Sequence, residues 1–308
     1  MTDTIIRRWG IDLSGGTTLA AHWPEMTANG LSFAIFRAGE GLATGDNIRP
    51  QCELAIKYGV PFGLYFAIHP WYSADVQVNA FIRQAASFSA KCLVLDFELY
   101  EGTTPDAINQ HYQTAYNSLK AKTTLPAVSY SGNWFIEAHA AAMKTWIGKD
   151  VYWDANYRQP FQPETWMEFH QQLADLYIPK YAGYPPVGIF QFAGDRPTAM
   201  IPHKVDYDLI DSDAVYQYLF RDGPRPAYLD AAPVVIAPPV DLVHYVVSNP
   251  TGTYIQTGAG WQFSPVQYVK AGVSLYIDAT WQQVPGWVKV TSPVSGYASL
   301  TRIKQVTP

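Results

Sequence analysis

With 308 residues the chain is long for one domain, and its length favours two. Only 15% of the residues are charged against 48% hydrophobic, the balance of a globular protein with a sizeable core. The net charge of −5, without any cluster of Lys and Arg, excludes nucleic acid as the main partner, since phosphate backbones are held by local cation excess.

Met1 to Gly10 lacks the apolar stretch of a secretory leader, and no run is long enough to span a bilayer, so no membrane insertion is expected. Strands are predicted at Gly10–Leu13, Phe33–Ala38, Phe62–Ile68, Cys92–Phe97, Ala127–Tyr130, Val151–Ala155, Gly188–Phe192 and Val205–Leu209. Between most of them lie helical patterns, at Gln51–Tyr58, Ala74–Ser89, Pro105–Leu119, Trp134–Lys144 and Pro163–Leu173. Strand followed by helix, repeated, reads as a parallel sheet with crossover helices. Eight such strands in 1–220 fit a closed α/β barrel better than an open sheet. The last two have no helix between them, so the barrel is expected to be irregular there.

Arg221–Leu242 is rich in Pro and Ala without periodicity, the composition of a semi-rigid spacer, and 221–242 is read as a linker. From Val243 the pattern changes to short alternating runs: Tyr245–Val247, Val266–Val269, Ser274–Ile277, Trp287–Val290 and Gly296–Ser299. Gly, Pro and Asn turns separate them, which predicts a small all-β barrel over 243–308. The two cysteines, Cys52 and Cys92, sit in apolar patterns without metal-ligand spacing and are expected to be buried free thiols; no metal site is predicted.

The chemistry concentrates in Leu93–Tyr100, LVLDFELY. Side chains two apart on a strand share a face, so Asp96 and Glu98 project together while Phe97 turns away. In a parallel barrel the C-terminal strand ends collect the reactive groups. Two carboxyls at the edge of an apolar interior do not both ionise freely; desolvation and repulsion keep one protonated. A proton donor beside an anion is what glycosidic cleavage requires. Asp12 ends the first strand and Asp206 lies at the last, and first and last strands of a barrel are neighbours, so four acids fall on one rim. The 10 Trp and 21 Tyr suit sugar rings, although core filling accounts for most aromatics.

The order and spacing of GIDLS (10–14), FRAGEG (36–41), AIKYGVPFGLY (55–65), LVLDFE (93–98), YSGNW (130–134), YWDANY (152–157), FQF (190–192) and VDYDL (205–209) resemble glycoside hydrolase family 25, the Chalaropsis-type lysozymes, over roughly 8–220. The resemblance implies an irregular β/α barrel hydrolysing the β-1,4 bond between N-acetylmuramic acid and N-acetylglucosamine, without cofactor, and as a monomer. It further implies Glu98 as proton donor and Asp96 as the carboxylate that steadies the reacting centre or the substrate acetamido group. Asp12 and Asp206 become cleft acids, and Tyr65, Tyr130, Trp153, Tyr157 and Gln191 line the sugar groove. Arg37 and Glu40 match a family turn as an ion pair or as substrate contacts. Where the family has Tyr-His-Phe, Trp-Gln-Tyr and VDxN, this chain has Tyr65-Phe66-Ala67, Phe190-Gln191-Phe192 and VDYD. The implied route is substrate-assisted, with retention.

The C-terminal part resembles bacterial SH3-like domains, through Tyr254–Gly260 and Gly286–Val290, which implies binding to the cell wall; Tyr245, Trp261 and Trp281 are candidate contacts. The partner expected is bacterial peptidoglycan, the place of action the wall. The setting expected is a phage endolysin released at lysis, or a secreted enzyme trimmed of its leader. Three other functions are open to the residues: a glycosidase acting on chitin-like polymers, a non-catalytic cell-wall glycan-binding protein with a dead barrel, and a non-hydrolase sugar-binding barrel.

Overall fold

The computed structural model describes residues 7–14, 19–44, 48–100, 102–157, 161–226 and 248, and the backbone of seven further strands between 242 and 305. Strands β1 (Arg8–Leu13), β2 (Phe33–Glu40), β4 (Phe62–Ala67), β5 (Leu93–Asp96), β6 (Ala127–Ser131), β7 (Val151–Ala155) and β8 (Val187–Ala193) pair side by side in parallel. The short β3 (Ala43–Thr44) folds back on the end of β2. Strand β9 (Asp206–Ile210) closes the ring by pairing antiparallel with both β8 and β1. Eight strands thus form a closed barrel with no free edge to template aggregation.

The eight expected strands are present, Val151–Ala155 with the same bounds and the others with ends shifted by at most two residues. The irregularity sits where expected, and its form is a reversal. β9 runs against the other seven, so its first residue, Asp206, lies on the rim where they end. Asp206 therefore begins a strand instead of finishing one.

Alternation of side chains gives the barrel two apolar layers. Outward residues such as Ile11, Phe36, Leu64, Leu95, Phe190 and Leu209 pack under the surrounding helices. These are α1 (Trp23–Ala28), α2 (Arg49–Lys57), α3 (Ala74–Ala85), α4 (Pro105–Lys122), α5 (Asn133–His139) and α6 (Trp166–Asp175). Inward residues Ile35, Val94, Val128, Val151, Ile189 and Ile210 form a separate buried cluster. The eight-residue helix α7 (Asp213–Phe220) joins that inner cluster through Val215, Tyr216, Leu219 and Phe220. Its start is fixed by Ser212, whose hydroxyl accepts from the Val215 amide.

Helix α7 follows β9 directly and covers the mouth of the barrel at the end where β2 begins. Phe33, the first residue of β2, stacks on Phe220 with ring centroids 5.0 Å apart. Gly10 makes room for Phe33: a Cβ there would come within 2.4 Å of the ring. One end of the barrel is therefore stoppered, and chemistry is confined to the other.

Helices α1 and α7 go beyond the sequence expectation, and Trp134–Lys144 is not one helix. It breaks at Ala140 into α5 and a 3-10 helix, Ala141–Thr145. Cys52 and Cys92 are both buried and free. Between 242 and 305, β10 (Leu242–Val247), β11 (Thr253–Gln256), β12 (Pro265–Val269), β13 (Ser274–Asp278), β14 (Trp287–Ser292), β15 (Gly296–Ser299) and β16 (Ile303–Gln305) form an antiparallel sheet ordered β12-β11-β15-β14-β13-β10-β16. Five of these were expected; β11 and β16 are additional. Tyr245 lies on β10, whereas residues 227–241, Trp261 and Trp281 fall outside the described residues.

Phe220→Ala should destabilise the barrel by about 3–5 kcal/mol, the usual cost of an emptied aromatic site. Urea unfolding checks this; a change under 1 kcal/mol would mean that α7 is no stopper.

Candidate active site

The open end of the barrel holds a cleft of about 400 Å³. All nine residues singled out from the sequence line it: Asp12, Tyr65, Asp96, Glu98, Tyr130, Trp153, Tyr157, Gln191 and Asp206. Arg37 and Glu40 line it too, paired at 3.4 Å. Asp208 lies beneath this surface, fully buried, and was not singled out.

The carboxyl pair stands on a clamped piece of backbone. The Phe97 amide donates to the Tyr130 carbonyl at 2.9 Å, which extends the β5–β6 pairing one residue past Asp96. The Phe97 carbonyl accepts from the Ser131 hydroxyl at 2.7 Å. The Leu99 amide donates to the Tyr112 hydroxyl of α4 at 3.0 Å. Phe97 itself turns outward between Tyr112 and Trp146, with centroids 4.6 and 5.8 Å away. Asp96 and Glu98 are thereby held on the cleft side of a strand end that has little freedom. Ser131 and Tyr112 are positioning residues that spacing alone did not reveal, because their partners are main-chain atoms.

Opposite them, the β1–β9 register sets Asp12 against Asp206. Asp206 accepts from the Asp195 amide in the β8–β9 loop. Gln191 on β8 is fixed in orientation by what surrounds it. Its side-chain oxygen accepts from the hydroxyls of Tyr130 (2.9 Å) and Tyr157, so its Nε2 is left to donate, and it does so to Asp12 Oδ2 at 2.5 Å. Trp153 is almost wholly buried. Its ring meets Tyr130 edge-on at 4.7 Å, and its Nε1 donates to Asp208 Oδ1 at 2.9 Å. Trp153 and Gln191 therefore form the floor of the groove, whereas Tyr157, 47% exposed, offers an open ring face.

Burial dominates the electrostatics. It pushes the Asp96 carboxyl well above its ordinary range, the charge of Glu98 adds to this, and the Arg37 guanidinium opposes it. Burial raises Glu98 as well, and there the neighbouring charge is Asp206. Asp12 and Asp208 are both raised by burial, with Asp206 adding repulsion to each. Asp206 is pushed up to about 6, again by burial first. Asp96 Oδ1 is buried and accepts no hydrogen bond from the described residues.

A carboxyl raised on folding favours the protonated form, so it destabilises the fold as pH climbs from its unfolded pKa through its folded one. For Asp206 that window runs from about 4 to about 6. Asp206→Asn should therefore raise Tm at pH 7 and leave it nearly unchanged below pH 4. Calorimetry at the two pH values checks this; a lower Tm at pH 7 would contradict it.

The family described as "Glycosyl hydrolases family 25" matches residues 11–194. Among solved structures, the bacterial lysozyme of Streptomyces coelicolor is similar at 19% identity and TM-score 0.53, over 69% of this chain and 96% of that one. The family GH25 lysozyme of Aspergillus fumigatus aligns over 70% of this chain and all of its own (100%), at 16% identity and TM-score 0.55. The catalytic domain of an endolysin from a bacteriophage of Listeria monocytogenes aligns over 70% and 98%, at 18% identity and TM-score 0.51. At such identities the likeness is one of fold. No curated protein sequence matches. The family match spans more than half of the 308 residues, includes Asp12, Asp96 and Glu98, and coincides with the barrel that carries the cleft: the chain belongs to glycosyl hydrolase family 25 and is a glycoside hydrolase.

Proposed function

We propose that this glycoside hydrolase is a lysozyme, cleaving the β-1,4 bond between N-acetylmuramic acid and N-acetylglucosamine in bacterial peptidoglycan. The observation that carries this reading is the Asp96–Glu98 pair, two carboxyls raised by burial in one cleft, with one Asp96 oxygen unclaimed by any described residue. Such a pair keeps one proton across neutral pH. Burial is deeper at Asp96, which alone would leave the proton there. The fixed charges oppose this, because Arg37 favours an anion at Asp96 and the charge of Asp206 favours a neutral Glu98. With the polymer expelling water and strengthening both effects, Glu98 is the acid and Asp96 the anion.

Glu98 then gives its proton to the glycosidic oxygen as the bond from the anomeric carbon breaks. The acetamido oxygen of the same sugar closes on that carbon, and Asp96 accepts the acetamido N–H through its unclaimed oxygen. Glu98, now a carboxylate, takes a proton from the water that reopens the ring, and configuration is retained. Asp12 and Asp206 shape the cleft floor, while Tyr65, Tyr130 and Tyr157 contact sugar, the last by its exposed face.

The 242–305 sheet is read as an SH3-like unit that binds the wall, joined through 221–242. The setting favoured is a phage endolysin, in keeping with the fold likeness to an endolysin catalytic domain.

Glu98→Gln should lower lytic kcat by about 10²–10⁴-fold, the worth of a general acid, with wall binding intact. Mass spectrometry of the reducing ends released from peptidoglycan names the bond; N-acetylglucosamine ends, or release from chitin alone, would overturn the reading. Because both carboxyls titrate high, the rate should fall as pH rises past neutral and Glu98 loses its proton, and fall again in acid as the pair fills. Deleting 221–308 should weaken binding to whole walls more than it slows cleavage of soluble muropeptides, as sedimentation and turnover assays would tell.

A further inference from the structure

Asp208 is a carboxyl that the proposed reaction does not use, and its surroundings are unusual for an acid. It is 0% exposed and lies below the cleft, outside its lining. Oδ1 accepts the Trp153 indole N–H at 2.9 Å. Oδ2 is buried and receives no N–H or O–H from any described residue. Asp208 and Asp12 stand on paired strands, β9 and β1, with their carboxyls in hydrogen-bonding reach of each other, and Asp12 reaches Asp206 as well. Two ionised carboxylates are acceptors only and repel at contact, so an arrangement of this kind is stable when a proton lies between them.

The other groups facing the pair do not relieve this. Gln191, opposite Asp208 on β8, spends its amide N–H on Asp12, because Tyr130 and Tyr157 occupy its oxygen. Asp206, two residues back on β9, brings further negative charge, and Asp96 and Glu98 stand across the cleft. Tyr65 on β4 is held neutral by burial. Arg37 is the cation among the lining residues, and it is paired with Glu40.

We propose that Asp208 is a positioning residue that shares one proton with Asp12, its Oδ1 anchored by Trp153, so that the cleft floor carries one negative charge there instead of two. The shared proton orients Asp12 toward the substrate and limits the repulsion that reaches Glu98. Asp208 touches no sugar and acts through Asp12. This role deepens the lysozyme reading and rests on it only for the kinetic consequence; the proton itself is a property of the folded protein.

Asp208→Asn tests it, because an amide reproduces the protonated acid: its oxygen accepts from Trp153 and its nitrogen donates to Asp12. Difference infrared spectra of the full chain at neutral pH, wild type minus Asp208→Asn, should show the carbonyl band of a protonated carboxyl. Wall-lysis kcat/KM should survive in Asp208→Asn and fall about 10–100-fold in Asp208→Leu, the range seen when a supporting partner is removed. The alkaline limb of the rate profile should also change shape in Asp208→Asn, since its donor cannot ionise. Absence of the infrared band overturns the proposal even if the enzyme proves to cut another glycan. An Asn variant as impaired as the Leu variant, with an unaltered pH profile, overturns the positioning role. Should the Leu variant fail to fold, the infrared and pH measurements on Asp208→Asn decide alone.

Discussion

Asp12, Asp96, Glu98, Asp206 and Asp208 are crowded into one end of a closed barrel, and holding acids together out of water is the constraint the rest of the molecule answers. Desolvation and mutual repulsion both oppose it. The fold offsets the cost by seating Asp12, Asp96, Asp206 and Asp208 on strands with two neighbours and Glu98 on the clamped segment just past β5. The inner apolar cluster below, closed by α7, supplies the stability that the upper layer forfeits. Strain concentrated at a working site and supported from elsewhere is the common pattern in enzymes.

Rigidity follows from the same need. The backbone around Phe97 is held from three directions, by Tyr130, Ser131 and Tyr112. Across the cleft, Gln191 links the hydroxyls of Tyr130 and Tyr157 to Asp12, and Trp153 links the floor to Asp208. Asp96 and Glu98 are thus set in place by the protein itself, and in the reaction proposed for them little reorganisation is left.

Much of this was legible in the sequence, for reasons specific to the residues. The barrel strands announce themselves because parallel strands buried on both faces read as apolar runs, as in Cys92–Phe97. The period of two fixes Asp96 and Glu98 on one face, and the clamp on Phe97 confirms the geometry. Helix α7 escaped because DAVYQYLF is short and follows a strand without a break, so its apolar residues read as loop or strand. The direction of β9 escaped because alternation is the same read either way. Asp208 escaped with it: its meaning comes from Trp153 and Asp12, which lie far away in sequence and close only across strands. The C-terminal sheet was legible in its short alternating runs, five of which became strands.

The reversed β9 also changes how this cleft can vary. Six strands, β1, β2, β4, β5, β6 and β7, deliver their end residues to the rim and lead on to helices. β8 and β9 instead form a hairpin whose connection, 194–205, puts Asp195 and Gly194 in the groove wall. Ile201 and Val205 root that connection in the outer core and the Asp195 amide holds Asp206, so the length of the loop is free to change only at exposed positions such as 202–204. Insertions there leave the acids where they are, whereas a change at Asp195 moves the wall and Asp206 together.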